Sequence, residues 1–202
     1  MAGTQGTAGL PAALGRGLMR PADGVEAKPL VLTGGPGAGK TSLLTMLENM
    51  GYPTQGEAGR AIIQDQQRIG GNALPWIDPR AFAEQMLAWD MRSFSNAQRE
   101  AGPVFLDRGI PDTIGYLELS GLPVPAHMEK AACVFRYEKV FLLRPWPEIF
   151  TQDSERRQTL AEAERTCVAM ERVYGRLGYI LIEVPRGSLE ERAAFVIGQA
   201  GA

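Results

Sequence analysis

Histidine and cysteine are almost missing from this chain. Among its 202 residues stand one histidine, His127, and two cysteines, Cys133 and Cys167. Neither cysteine has a second Cys or a His at metal-ligand spacing, so the sequence shows no zinc-site pattern. Both fall in predicted helices and read as buried thiols of a reducing compartment. His127 alone cannot furnish a histidine-rich metal site and reads as a surface or structural residue. A surplus of positive charge is lacking too. Lys and Arg number 21 against 23 Asp and Glu, a formal net charge of −2, so the overall balance suggests no nucleic-acid partner, although a local basic patch stays open. No apolar run approaches the ~20 residues of a membrane span, and cytoplasm is the expected compartment. A GxSxG serine elbow, an HExxH pair and an RNA-binding signature are absent as well. What is left, 45% apolar and 22% charged residues, is the composition of a globular protein of one-domain length with a full core.

Glycine, by contrast, is concentrated where it can do chemistry. The stretch Leu30-Val31-Leu32-Thr33-Gly34-Gly35-Pro36-Gly37-Ala38-Gly39-Lys40-Thr41-Ser42 runs from a short apolar strand pattern through a glycine-rich turn into an amphipathic helix pattern. Gly34, four residues, then Gly39-Lys40-Thr41 is the P-loop (Walker A) spacing. Glycines let the backbone curl so that several N–H groups converge on one anion, and the following helix aims its positive end at the same point. Lys40 is placed to reach the β- and γ-phosphates of a nucleotide, and the Thr41 hydroxyl to bind Mg²⁺. Gly34 to Ser42 are therefore the expected nucleotide-binding residues, with ATP and Mg²⁺ as cofactors.

Residues 1–27 are rich in Gly, Ala, Thr and Pro without periodicity and read as a disordered tail; residues 28–202 form the domain. Residues 29–33 are the first strand. The next helix carries Leu43, Leu44, Leu47 and Met50 on its inner face and stops at Gly51. A short second strand at residues 52–55 and a helical segment with Ala58, Ala61, Ile62, Asp65 and Ile69, ending at Gly70-Gly71, follow. Asp78-Pro79 opens a helix whose stripe of Phe82, Met86, Trp89 and Phe94 reads as core. Residues 104–106 form a third strand, 111–121 and 125–136 two helices, and 139–143 a fourth strand. Thr159-x-x-Glu162 is a capping box opening a long helix with Leu160, Ala163, Cys167, Met170, Tyr174 and Leu177 inside. Residues 179–184 are the fifth strand and 189–197 the last helix. Strands alternating with helices in this way give a parallel sheet covered on both faces, a three-layer α/β fold with the loop at its C-terminal edge.

Several charged groups stand where such a fold can use them. Asp107 closes the third strand, where P-loop enzymes place a carboxylate near Mg²⁺; the bland alternative is a strand-end cap. Arg108 could hold a substrate or transition-state oxygen, or form a surface ion pair. Glu57, after the second strand, could accept the proton of an attacking hydroxyl, and Arg60 could grip an anionic substrate group; a solvated helix start explains both equally well. Arg156 and Arg157, with Asp153 nearby, stand in a polar segment that could close over the phosphates or simply lead into the next helix. Residues 185–188, after the last strand, could pass the nucleotide base.

Taken together, Gly34 to Thr41, Glu57-Ala58-Gly59-Arg60, Phe105-Leu106-Asp107-Arg108-Gly109-Ile110-Pro111-Asp112 and Asp153-Ser154-Glu155-Arg156-Arg157 resemble the AAA-domain group of P-loop ATPases. That group is similar to the ribosylnicotinamide kinase domain of the bifunctional NAD-metabolism regulator. The resemblance spans residues 29–199. It implies a five-stranded sheet of order 2-3-1-4-5 with a short arginine-bearing lid. It also implies ATP·Mg²⁺ on Lys40, Thr41 and Asp107, an acceptor on Glu57, Arg60 and Arg108, and a lid carrying Arg156 and Arg157. The adenylyltransferase partner domain of the regulator is not in this sequence.

Two kinds of function fit. One is a small-molecule kinase that moves the γ-phosphoryl group of ATP to a nucleoside-like or related metabolite. The other is a nucleotide-dependent ATPase or GTP-binding switch with a macromolecular or lipid partner, although a guanine-reading Asn-Lys-x-Asp is missing. A motor of the AAA+ type fits less well, because 202 residues leave little room for its additional lid domain. Oligomeric state is open.

Overall fold

The computed structural model describes residues 26–148 and 159–201. In chain order its elements are β1 (Lys28–Gly34), α1 (Lys40–Asn49), β2 (Thr54–Gln55), α2 (Ala58–Ile69), α3 (Pro79–Ala97), β3 (Pro103–Asp107), α4 (Ile110–Leu119), α5 (Ala126–Val134), β4 (Lys139–Leu143), α6 (Leu160–Arg176), β5 (Leu181–Glu183) and α7 (Leu189–Ala200). The five strands lie parallel in the order β2-β3-β1-β4-β5, as the resemblance implies. β1 is central, in register with β3 from Lys28↔Pro103 to Leu32↔Asp107 and with β4 from Leu30↔Lys139 to Gly34↔Leu143.

The apolar run of β1 is continuous because both its faces are covered. Side chains alternate across a strand, so Leu30 and Leu32 pack with Leu43, Leu47, Phe141 and Val196 under α1 and α7. Val31 points the other way, into a cluster with Phe94, Leu106, Val140, Met170 and Tyr174 beneath α3 and α6. A further layer joins Leu87, Ile114, Leu117 and Met128 among α3, α4 and α5. The helix starts follow local chemistry. Asp78 accepts from the N–H groups of Arg80 and Ala81 at the head of α3. Thr159 and Glu162 exchange bonds at the head of α6, where the capping box places them.

Some expected positions differ. Met50 is 53% exposed, because α1 ends at Asn49 and Met50 is its C-cap, just ahead of the turn at Gly51. Trp89 is 37% exposed, since the buried stripe of α3 runs through Ala83, Leu87, Asp90 and Phe94, beside the line through Phe82, Met86 and Trp89. Cys133 is exposed, as α5 buries only Met128, Ala131 and Ala132, whereas Cys167 is buried as expected. β5 is shorter than its apolar stretch, covering Leu181–Glu183. Among the described residues no helix is long and apolar enough to cross a membrane.

The Asp78 cap gives a direct check on the α3 start. Asp78→Ala lowers the unfolding free energy by about 1 kcal/mol, read as a shifted urea midpoint with an unchanged m-value.

Candidate functional site

The loop between β1 and α1 is shaped by close approach. Gly34 has φ +129°, and a Cβ there would run into the backbone carbonyl of Leu143 on β4, so only glycine fits. A Cβ on Gly35 would meet the carbonyl of Ala163, which shows how closely α6 lies against the loop. Gly39 caps α1 without a side-chain hydrogen bond, and the first turn of α1 holds no acidic residue. The N–H groups and positive end of that helix are thus not neutralised by the helix's own side chains. Lys40 is buried, and its Nζ donates to the carbonyl oxygens of Gly35 at 2.6 Å and Gly34 at 3.4 Å. A helix start without acidic side chains, beside one ammonium, suits a phosphate. Thr41, at the exposed second position of α1, and Asp107, buried at the neighbouring strand end, are hard oxygen donors suited to Mg²⁺. Among the described residues no group of three or more His, Cys, Asp or Glu could hold a metal ion.

Beside the loop stands Arg108, the only non-glycine residue at positive φ among those described, at +72°. Such a conformation costs about 1–2 kcal/mol and persists where surroundings over-determine it. They do so here. Its N–H donates to Leu32 O, Nη1 donates to Gly34 O at 3.2 Å and to Asp112 Oδ1 at 3.1 Å, and Nε pairs with Glu57 Oε1 at 3.4 Å. Burial opposes its charge, but Glu57, Asp112 and Asp107 outweigh that and hold the guanidinium more firmly protonated than usual. Asp112 is the anchor. It accepts from Thr33 Oγ1 (2.6 Å), Arg108 Nη1, Gly109 N (3.1 Å) and Tyr174 Oη (2.7 Å). Four donors fill the four lone-pair directions of one carboxylate. Burial, then the charge of Asp112, pushes the Tyr174 phenol well above its usual range, so it stays a donor.

A cleft of about 710 Å³ opens from this point between α2, α3, α4 and α6. Pro36 of the loop, Glu57, Arg60 and Arg108 line one end. The walls carry Phe82, Met86, Tyr116 and, at the exposed rim, Trp76. Phe82 and Tyr116 meet edge to face with centroids 5.4 Å apart. The stripe expected to be core thus partly faces the cleft. Asp90 and Thr113 also line it, with Thr113 Oγ1 donating to Asp90 Oδ2 at 3.3 Å. Burial, with Asp112 nearby, drives the Asp90 carboxyl well above its ordinary value.

Of the residues singled out from sequence, Gly34, Glu57 and Arg108 are joined by contacts, and Pro36, Glu57, Arg60 and Arg108 share the cleft. Asp107 ends β3 next to the loop strand. Glu57 pairs with Arg108, 51 positions away in the sequence, and Arg60 lines the same cleft. Arg156, Arg157 and Asp153 lie outside the described residues. The sequence reading overlooked Asp112, Tyr174 and Asp90. The only signal for Asp112 was its place in the Asp107-to-Asp112 stretch; nothing local marks the other two.

Asp90 gives a pH test. A carboxyl with a raised folded pKa binds its proton in the native state first, so stability falls as pH rises from the ordinary value of 3.8 through the raised one. Asp90→Asn, which cannot ionise, therefore unfolds at a higher temperature than the parent at pH 8, and the gap closes toward pH 4; thermal scans across that range read it out.

Against known proteins, the chain has the following relatives. A family model described as AAA domain matches residues 29–192. No curated protein sequence matches the chain. Among solved structures, a NadR protein in complex with NR superposes with TM-score 0.67 at 15% identity, over 87% of this chain and 51% of that one. The chain thus spans about half the length of the NadR structures it matches, a second of which holds NAD and AMP-PNP. Deoxyadenosine kinase from M. mycoides, with dCMP and dCDP, matches with TM-score 0.59 at 12% identity over 86% of this chain and 98% of its own. Thymidylate kinase from Ehrlichia chaffeensis matches with TM-score 0.57 at 13% identity over 85% and 97%. At these identities the structures share the fold, that of P-loop kinases. The family match covers most of the sequence, and the chain belongs to the AAA-domain family of P-loop proteins.

Proposed function

We propose that this protein is a small-molecule kinase that transfers the γ-phosphoryl group of ATP to a hydroxyl of a nucleoside-like acceptor. The observation that carries the proposal is the Arg108 bridge: one guanidinium bonds both the carbonyl of Gly34, at the phosphate loop, and Glu57, in the cleft. A switch that only hydrolyses nucleotide has no need of a 710 Å³ aromatic-lined cleft opening beside that loop. The P-loop kinase fold of the structural neighbours supports the same reading.

In this reading the loop N–H groups and Lys40 bind the β- and γ-phosphates, and Thr41 and Asp107 hold Mg²⁺, which neutralises charge on the phosphate chain when bound. The acceptor lies in the cleft with its hydroxyl toward Glu57. The acceptor oxygen forms its bond to the γ-phosphorus as the bond to the β–γ bridging oxygen breaks; ADP leaves and Glu57 takes the hydroxyl proton. Arg108 orients Glu57 and stabilises charge on the transferring group, Arg60 holds the polar part of the acceptor, and Arg156 and Arg157 cover the phosphates. Most of the acceleration comes from positioning and preorganised charge.

The test is ATP consumption with and without a panel of nucleosides, ribosylnicotinamide included. One acceptor stimulates turnover at least about tenfold, Glu57→Gln lowers the stimulated rate by about 10²–10⁴-fold, and Lys40→Ala weakens nucleotide binding. Basal turnover that no acceptor stimulates and that Glu57→Gln leaves unchanged contradicts the kinase and favours the switch.

A further inference from the structure

A second arginine reaches the phosphate loop from the opposite side of the fold. Arg192, on α7, is 5% exposed, and its Nη2 donates to the carbonyl oxygen of Ala38 at 2.8 Å. Its guanidinium carbon lies 5.5 Å from the centroid of the Trp146 ring, which is buried in the segment after β4. Among the described residues no carboxylate pairs with Arg192, and its Nε finds no acceptor. Burial alone lowers its hold on the proton. A buried cation whose partners are one carbonyl and a ring face, with no carboxylate, carries a desolvation penalty, so the fold would be at least as well served by an apolar side chain there. What the guanidinium touches belongs to the loop or to its flank. Ala38, whose carbonyl it holds, stands between Gly37 and Gly39, both at positive φ (72° and 75°), so the loop there has little of its own to fix its path.

We propose that Arg192 is a positioning residue for phosphate binding. From outside the loop it clamps the Ala38 carbonyl and so sets the curl of residues 37–39, and its uncompensated charge adds to the positive field that receives the nucleotide phosphates. This rests on the loop being a nucleotide site. It carries a distinctive consequence: affinity for phosphates and stability of the empty protein separate on substitution. Arg192→Met relieves a buried charge at similar length while releasing the loop, whereas a merely structural arginine loses both together.

Calorimetric titration of ADP with Mg²⁺ into the parent, Arg192→Met and Arg192→Lys, alongside thermal unfolding without nucleotide, decides the matter. Arg192→Met binds ADP at least about tenfold more weakly, the loss of one charge-assisted bond, while its unfolding temperature without nucleotide stays within about 3 °C of the parent or rises. Arg192→Lys keeps the charge but not the planar reach and binds at least about threefold more weakly. In turnover, KM for ATP rises while KM for the acceptor does not. ADP affinity in folded Arg192→Met within about twofold of the parent overturns the proposal, as does a joint fall of affinity and unfolding temperature. If Arg192→Met does not fold, unchanged affinity in Arg192→Lys overturns it and weakened affinity at an unchanged unfolding temperature supports it. A parent that binds no ADP overturns the nucleotide reading itself, which separates that failure from this one.

Discussion

The site depends on a carboxylate that does no chemistry. Asp112 receives Thr33 from the central strand, Gly109 from its own helix start, Tyr174 from α6 and Arg108 from the turn after β3. A buried carboxylate with only some of these donors would be costly; with all four it becomes a rigid post. Arg108 is held to that post in a backbone conformation that non-glycine residues avoid, and from there it reaches both Gly34 and Glu57. The glycine-rich loop and the cleft are thereby joined through one guanidinium; under the proposed function these are the phosphate end and the acceptor end of the site.

The same post ties helix α6 to the loop. Tyr174 bonds Asp112 near the end of α6, and the carbonyl of Ala163 near its start closes on Gly35. α6 begins at the capping box that follows the segment carrying Arg156 and Arg157. A movement at the head of α6 therefore bears on the loop, which gives this helix a part in setting the cradle as well as in filling the core.

Much of the framework was legible because it is local. A short apolar run, a glycine spacing and the turn into a helix announce β1 and its loop; Asp78 and Thr159 announce helix starts by short-range hydrogen bonding. The order of the strands came from the resemblance and is what the sheet shows. The site was legible only in its members. That Glu57 meets Arg108, 51 positions away, and that Tyr174 meets Asp112, 62 positions away, are facts of packing with no trace in spacing. Periodicity also does not say what covers an apolar face. Phe82 and Met86 line a cleft, Trp89 and Cys133 turn outward, and each would fit the same helical pattern if buried. Arg108 adopts positive φ without being glycine or asparagine, so no residue type gave notice of it.

The central claim is that one ion network joins the phosphate cradle to an acceptor cleft. A crystal structure of the protein with ADP, Mg²⁺ and the acceptor that stimulates turnover tests it most directly. The account predicts the β-phosphate within the loop of residues 34–41, the acceptor hydroxyl within hydrogen-bond reach of Glu57, and Arg108 still bonded to Asp112. An acceptor bound away from Glu57, or ADP outside the loop, contradicts it.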